Sequence, residues 1–352
     1  MEDTSEELKE QPLAIAHESE KSKIGRIVRQ SLGYIIALVC LVWVFHDIHP
    51  ERLLRQLSEI SWGWIMLGLI FDFLAYLSQG YRWHLLLGPI GNISPVKTTQ
   101  AIYSGIFANE ILPFRTGELV RAYLVSRWMN ARFVNVIPSI MVERFFDAIW
   151  LGIGIGLTAF LVDLPRNLVD AAKILGVIVI GFIAIFIFLV MRRERQLEHK
   201  ELSYSSHRRI FSFLGSILNR LAAGVKTIGT SRSFYFGLLV SPLFLILQII
   251  SFWLIMKGYG LHINLWAASA VMMILMLGTA IPNAPSNVGT YQFFIVVGLT
   301  LFDIDKTTAT GFSVVAFIVL TIPLLLIGAF ALMRTGMRLK TIRSEISRII
   351  KK

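Results

Sequence analysis

The stretch NEILPFRTGELVRAYL, from Asn109 to Leu124, places Glu110, Arg115, Glu118 and Arg121 around Pro113 and Gly117, between two apolar runs. A guanidinium offers a planar fork of donors that matches phosphate oxygens. Arg115, Glu118 and Arg121 recur every third residue, so a helix starting near Thr116 makes them neighbours. Arg115 and Arg121 can then flank an anion. Glu118 falls in the first turn, where a negative charge complements the helix dipole. Asn109 and Glu110 add polar groups on the approach to the break. The same charges also suit an interfacial hairpin solvated by headgroups, or ion pairs that only hold the fold.

A second group, VERFFDAIW, lies inside an apolar run and carries Glu143, Arg144 and Asp147. Two carboxylates four apart share a helix face, and leaving them unpaired in low dielectric costs several kcal/mol. Arg115 and Arg121 are the expected partners of Glu143 and Asp147. Two like charges in one site can also share a proton. A third group, PNAPSNVGTYQ, breaks at Pro282 and Pro285, turns through Asn287 and Gly289, and resumes at Thr290, Tyr291 and Gln292. The helix start after Ser286 or Asn287 exposes backbone donors, which suits an anion; an ordinary capped kink also fits the pattern. Arg82 and Trp83 in QGYRWHLLL read as an interface anchor, with Trp at headgroup level and Arg snorkelling.

Enzyme signatures are absent: no Walker loop, G-x-S-x-G or H-E-x-x-H occurs, and no soluble segment is long enough for a catalytic domain. The single cysteine, Cys40, allows no disulfide or cysteine metal site within one chain. His46 and His49 read as solvated loop residues. No catalytic residue, metal ligand or cofactor is therefore expected.

These groups need positioning elements, and the composition says which. The 352 residues are 55% hydrophobic, with a mean hydropathy of +0.65. Continuous apolar runs exclude a β-barrel and approach the ~20 residues that cross a bilayer. Runs at 27–46, 61–87, 134–162, 170–191, 234–257, 264–281, 287–302 and 307–333 predict an all-α polytopic membrane helical bundle of about eight spans. Residues 99–130 are broken by Pro113 and predict a re-entrant helical hairpin. The Pro282–Gly289 break forms a second broken-helix element, and such breaks in two halves point to a transporter's binding site. Residues 1–22 read as a disordered acidic cytoplasmic tail, 23–335 as the membrane domain and 336–352 as a basic cytoplasmic tail. Part of 192–232 reads as an amphipathic interfacial helix.

The net charge is +11, but it concentrates in 21–29, 192–232 and 334–352. Basic loops stay cytoplasmic, which puts both termini inside and leaves no case for nucleic acid.

Taken together, the RW pair at Arg82–Trp83, N-E-x-L-P-F-R-T-G-E-x-x-R from Asn109 to Arg121, E-R-x-x-D from Glu143 to Asp147 and P-x-A-P-x-x-x-G-T-Y-Q from Pro282 to Gln292 resemble the lysylphosphatidylglycerol synthase transmembrane region, the flippase-like integral membrane proteins. The resemblance covers roughly residues 25–335. It implies a prokaryotic lipid translocator core in the cytoplasmic membrane, moving a phospholipid or a polyprenyl- or glycolipid. In the synthase a soluble aminoacyl-transferase domain follows. This chain ends at Lys352, soon after its last span, so lysylphosphatidylglycerol synthesis is not expected. Arg115 and Arg121 would hold the phosphate, with Glu118, Glu143 and Asp147 balancing them. Membrane lipids are the expected partners, and oligomers are allowed. One alternative is a non-transporting scaffold for a glycosyltransferase or lipid-modifying enzyme. Another is a membrane-embedded transferase with Glu143 or Asp147 as base.

Overall fold

In hydrocarbon every backbone amide and carbonyl must find its partner within the protein, so continuous apolar runs become helices. The computed structural model describes residues 33–46, 48–111, 116–162, 223–280, 285–337 and 339–351, with isolated positions between 170 and 184. Every regular element among them is helical. They run α1 Gly33–Phe45, α2 Pro50–Ser58, α3 Trp62–Leu87, α4 Pro95–Ile111, α5 Gly117–Trp128, α6 Phe133–Leu161, α7 Arg232–Gly258, α8 Leu265–Ala280, α9 Thr290–Thr300, α10 Lys306–Met333 and α11 Leu339–Lys351.

Four helices, α3, α6, α7 and α10, have 26, 29, 27 and 28 residues and are apolar enough to cross a membrane. At 1.5 Å per residue each is about 40 Å long, more than the ~30 Å hydrocarbon core. A fifth span results if α1 and α2, bent by 88°, count as one. The expectation of about eight spans took 264–281 and 287–302 as crossings. The structure makes them α8 and α9, of 16 and 11 residues, which reach only about 24 and 16 Å. They fold back on each other: a side chain at Gly278 would strike the Phe294 ring, and one at Gly298 would press on Val271. The run 170–191, apart from isolated positions, and most of the helix expected within 192–232 lie outside the described residues, as does the tail 1–22. The described end of that segment, residues 223–229, is helical and buries Val225 and Ile228 in the protein core rather than lying free at an interface.

The other hairpin forms as its Pro break predicts. Helices α4 and α5, of 17 and 12 residues, pack so closely that a Cβ on Gly117 would collide with the Gly105 carbonyl. Small residues let helix backbones approach in this way. Eight residues of α5, among them Arg121 and Tyr123, are buried, so the hairpin sits in protein rather than lipid. Residues 112–115, including Pro113 and Arg115, lie outside the described residues.

The order span, hairpin, span thus occurs twice, as α3, α4–α5, α6 and as α7, α8–α9, α10, with nearly matching lengths. The leading spans α3 and α7 are antiparallel. Gly68 packs on Ser251 and Ile255, and Gly258 on Ser61 and Ile65. At the other end Gly237 meets Leu86. Each hairpin also leans on the final span of the other unit. Gln100 Nε2 on α4 donates to the Ala331 carbonyl on α10 (2.9 Å), and Thr158 on α6 bonds Ser269 on α8 (3.0 Å). This is an inverted repeat in architecture, although no residue-by-residue repeat is visible in the sequence. Because α3 and α7 run oppositely, the hairpins enter from opposite ends. Their tips meet, with α4 touching the 3-10 turn Pro285–Asn287.

Two cores result. One gathers the C-terminal half of α3 with α4, α5 and the start of α6. The other gathers the start of α3 with α7, α8, α9 and α10. The segment read as a basic tail contains α11, whose Ile342 and Ile346 are buried in the first core; α11 packs on α5. At the opposite end Asp305 caps α10 by accepting from the Thr308 amide (3.1 Å). Tyr259 donates to Gln56, which donates to Thr308, so α2, α7 and α10 are tied together there.

Two outcomes are expected. A cysteine at Gln100 and another at Asn130, the two ends of the first hairpin, should label from the same side of the membrane; labelling from opposite sides would sink the re-entrant topology. Asp305→Ala should cost about 1 kcal/mol as a lost N-cap, seen as a lower melting temperature in detergent. Burial pushes the Asp305 carboxyl up, but hydrogen bonds from Thr308 and Thr307, together with Arg52, more than offset it and hold it below its ordinary value. Its stabilisation is therefore present above the ordinary carboxylate range and lost as pH falls through the folded value. The melting difference between Asp305→Ala and wild type should shrink in acid.

Candidate functional site

The charges of the first unit converge where α3, α5 and α6 meet. Glu143 is wholly buried between two guanidiniums: Arg82 Nη2 at 3.0 Å and Arg121 Nη2 at 2.8 Å. Gln79 Nε2 also donates to Glu143 (3.0 Å). Arg82 reaches Asp147 as well, at 2.7 Å. Arg144 joins Glu118 and Asp147, both at 3.0 Å. Three guanidiniums thus meet three carboxylates, Glu118, Glu143 and Asp147. The balance has a cause: a lone charge buried at this depth costs several kcal/mol, and pairing offsets it.

The network grades from dry to open. Arg82 and Arg121 are 1% and 4% exposed, whereas Arg144 and Glu118 are 49% and 41% exposed. Arg144 is therefore the guanidinium a ligand would meet first. Of the pairings expected from the cost of lone charges, Arg115 or Arg121 with Glu143 or Asp147, Arg121 with Glu143 forms. Arg121 also lies over the Trp83 ring at 4.8 Å, a cation–π contact, and Trp83 Nε1 donates to Ser139 (3.0 Å).

Arg82 and Trp83 correct the sequence reading. They are not an interface anchor; Trp83 is fully buried and Arg82 nearly so. Five residues from the end of a span, periodicity looks the same for a snorkelling arginine and one turned inward. Only the position of Glu143 on a different helix tells them apart. Gln79 and Ser139 were missed for the same reason.

The hairpin tips hold the remaining candidates. Asn109 Oδ1 accepts from the Gly117 amide (2.6 Å), satisfying one orphan donor at the start of α5. Asn109 thus stitches the break across its own hairpin. Glu110 stands within electrostatic reach of Tyr76. Arg115 and Pro282 lie outside the described residues. Pro285 opens the 3-10 turn, and Asn287 and Gly289 take positive φ of 51° and 87°. A Cβ on Gly289 would strike the Ala37 carbonyl of α1, so only glycine fits. The Gly289 amide donates to Gln292 Oε1 (2.8 Å), and Thr290 donates to the Asn287 carbonyl (2.9 Å). Much of this polar set therefore holds the turn itself. Tyr291 differs: its hydroxyl is buried with no hydrogen-bond partner among the described residues.

The first hairpin, its charged network and the second break all lie within residues 30–328, which match the model for the lysylphosphatidylglycerol synthase TM region. The chain belongs to that family. Among curated relatives, a UPF0104 membrane protein of Methanocaldococcus jannaschii is 20% identical over 81% of this chain and 89% of its own length. One from Methanothermobacter thermautotrophicus is 20% identical over 80% of this chain and 87% of its own. The glycosyltransferase AglD of Haloferax volcanii is 24% identical over 46% of this chain but only 26% of its own length. The family is a multi-pass membrane family with archaeal members.

Glu143→Ala would leave Arg82 and Arg121 buried without a counter-charge. Breaking a buried pair in this way costs about 3–5 kcal/mol, so the variant should melt well below wild type or fail to be extracted folded. Replacing the triad together with apolar residues of similar volume (Arg82→Met, Arg121→Met, Glu143→Leu) should recover much of that loss. Full stability of Glu143→Ala alone would show that the network is not buried.

Proposed function

We propose that the protein is a lipid translocator of a prokaryotic cytoplasmic membrane, carrying a phosphate-bearing lipid, either a phospholipid or a polyprenyl- or glycolipid, between the leaflets. The observation that carries this reading is the inverted repeat of broken helices whose tips meet inside the fold. Irregular backbone at membrane depth survives only against protein or a polar cavity, and repeats of this kind place substrate sites at their junction.

The basic end faces the cytoplasm in this reading. The first described residue of α7, Arg232, and the residue after α10, Arg334, lie at the end of the fold where α3 ends and α11 packs. They adjoin two of the basic stretches, as cytoplasmic loops require. A headgroup phosphate approaching there meets Arg144, whose partners Glu118 and Asp147 are wet enough to exchange. Arg121 holds the phosphate further in, exchanging Glu143 for it as the hairpin shifts, and Arg115 is the second arginine expected to bind it. The acyl or prenyl tails stay in lipid. No reaction is assigned: Glu143 and Asp147, the bases a transferase would use, are already neutralised by arginines.

A scaffold role is the second reading, and the match to a segment of a glycosyltransferase favours it. There the same domain would hold a lipid or an enzyme in place without moving cargo.

Purified protein in liposomes separates these roles. A translocator moves labelled phospholipid or polyprenyl phosphate between leaflets unaided, a scaffold moves none, and an enzyme alters the lipid. We expect unaided movement, and a loss of about tenfold or more in Arg144→Gln and Arg115→Gln, the worth of one charge-assisted hydrogen bond. Normal movement in the double variant would remove the phosphate role of these arginines.

A further inference from the structure

The charged network leaves one membrane-depth acid out. Asp72 lies near the middle of the 26-residue α3. Alone among the described acids of the four long spans, it has no ion pair and no side-chain hydrogen bond with any described residue. Glu143 and Asp147 are held by arginines. Asp72 instead lies within electrostatic reach of three phenols: Tyr76 on its own helix, Tyr103 on α4 and Tyr291 on α9. Those three come from the first span and from both hairpins, so Asp72 marks the point where the two hairpins meet.

The surroundings supply hydroxyls but no described cation. Tyr76 and Tyr103 have ring centroids 5.6 Å apart. Helix α7 presents Phe244 to Tyr76 at 6.0 Å, and α10 presents Phe317 to Tyr291 at 5.3 Å. Glu110 at the end of α4 is the other titratable group facing Tyr76. Helix α6 faces elsewhere, its acids turned to Arg82, Arg121 and Arg144. The buried Tyr291 hydroxyl, without a partner among the described residues, is a donor and acceptor in waiting beside a carboxylate.

We propose that Asp72 binds and releases a proton as the hairpins move, so that lipid movement draws on the transmembrane pH gradient. This deepens the translocator reading and rests on it for the coupling, though not for the proton site itself. The step is a simple protonation: an O–H bond forms on a carboxylate oxygen, and the same bond breaks when the proton leaves. With the hairpins closed, an unpaired charge at this depth is costly, and the proton removes it. The neutral acid can then donate to a tyrosine hydroxyl. When the hairpins part, water reaches the carboxylate and the ionised form is solvated. Occupancy by a proton thereby favours the closed junction and ionisation the open one, which is what links a gradient to a conformation.

Two measurements test this. The first is infrared difference spectroscopy of the protein in lipid nanodiscs as pH is varied. A protonated-carboxyl C=O band should appear and disappear with pH, be missing in Asp72→Asn and survive in Glu110→Gln and Glu118→Gln. Tyr291→Phe should displace its midpoint by about one pKa unit, tenfold in proton affinity. Absence of the band in wild type, or its loss in Glu110→Gln instead, would overturn the assignment.

The second is labelled-lipid movement in proteoliposomes. An imposed pH gradient should accelerate it in wild type, and the acceleration should be lost in Asp72→Asn, which can neither bind nor release a proton. A sodium gradient without a pH gradient should have no effect, and acceleration by sodium alone would overturn the proposal. If the band titrates on Asp72 but no lipid moves under any condition, the translocator reading falls and the proton site stands. If lipid moves but no carboxyl titrates, the reverse holds.

Discussion

Glu143 between Arg82 and Arg121 is the contact on which the first half of the fold depends. It joins three elements that lie far apart in sequence: a full span, the returning arm of a hairpin and the next full span. Its strength comes less from attraction than from the penalty for separating it. None of the three groups can be left alone in low dielectric, so the hairpin arm cannot slip relative to the spans without exposing one of them. Trp83 over Arg121 and Gln79 on Glu143 complete the shell. Toward the mouth the same chemistry loosens, because Arg144 and Glu118 keep one face in solvent.

Around this point the architecture is set by close backbone approach. Glycines at 68, 105, 117, 237, 258, 278 and 298 sit where an added side chain would press on a neighbouring helix. Lipid offers no hydrophobic drive for helices to associate, so contact area and small residues do that work. The pairing of α3 with α7, head to tail, then dictates the rest: each hairpin must enter from its own end, and the tips can only meet in the middle.

The two polar centres have different chemistry. The one near the basic end is charge-balanced and partly open, suited to exchanging an internal carboxylate for a ligand anion. The other sets Asp72, which has no ion pair among the described residues, within electrostatic reach of three phenols. In the proposed translocator role, the first would supply a counter-charge for a headgroup and the second a means of changing charge state, and the fold separates the two.

The amino-acid order alone determines a helical membrane protein, the break at Pro113, the break at Pro282–Pro285 and the need for Arg115 or Arg121 to pair with a carboxylate of the Glu143 segment. Each of these follows from hydropathy, from a missing amide or from the cost of a lone charge, all of which are local. The fold-back of α8 on α9, the inward turn of Arg82 and Trp83, the packing of α11 and the company of Asp72 were decided only by the tertiary structure. Residues 264–302 are apolar enough to read as two spans, and only the tertiary structure shows them as two short helices, α8 and α9, folded on each other with Gly278 against Phe294. Arg82 near a helix end reads as a surface residue until a buried acid from another helix stands opposite it. Asp72 is one acid in a greasy run until two hairpins, distant in sequence, bring their tyrosines to it. Periodicity records which face of a helix is apolar, but not which other helix that face will meet.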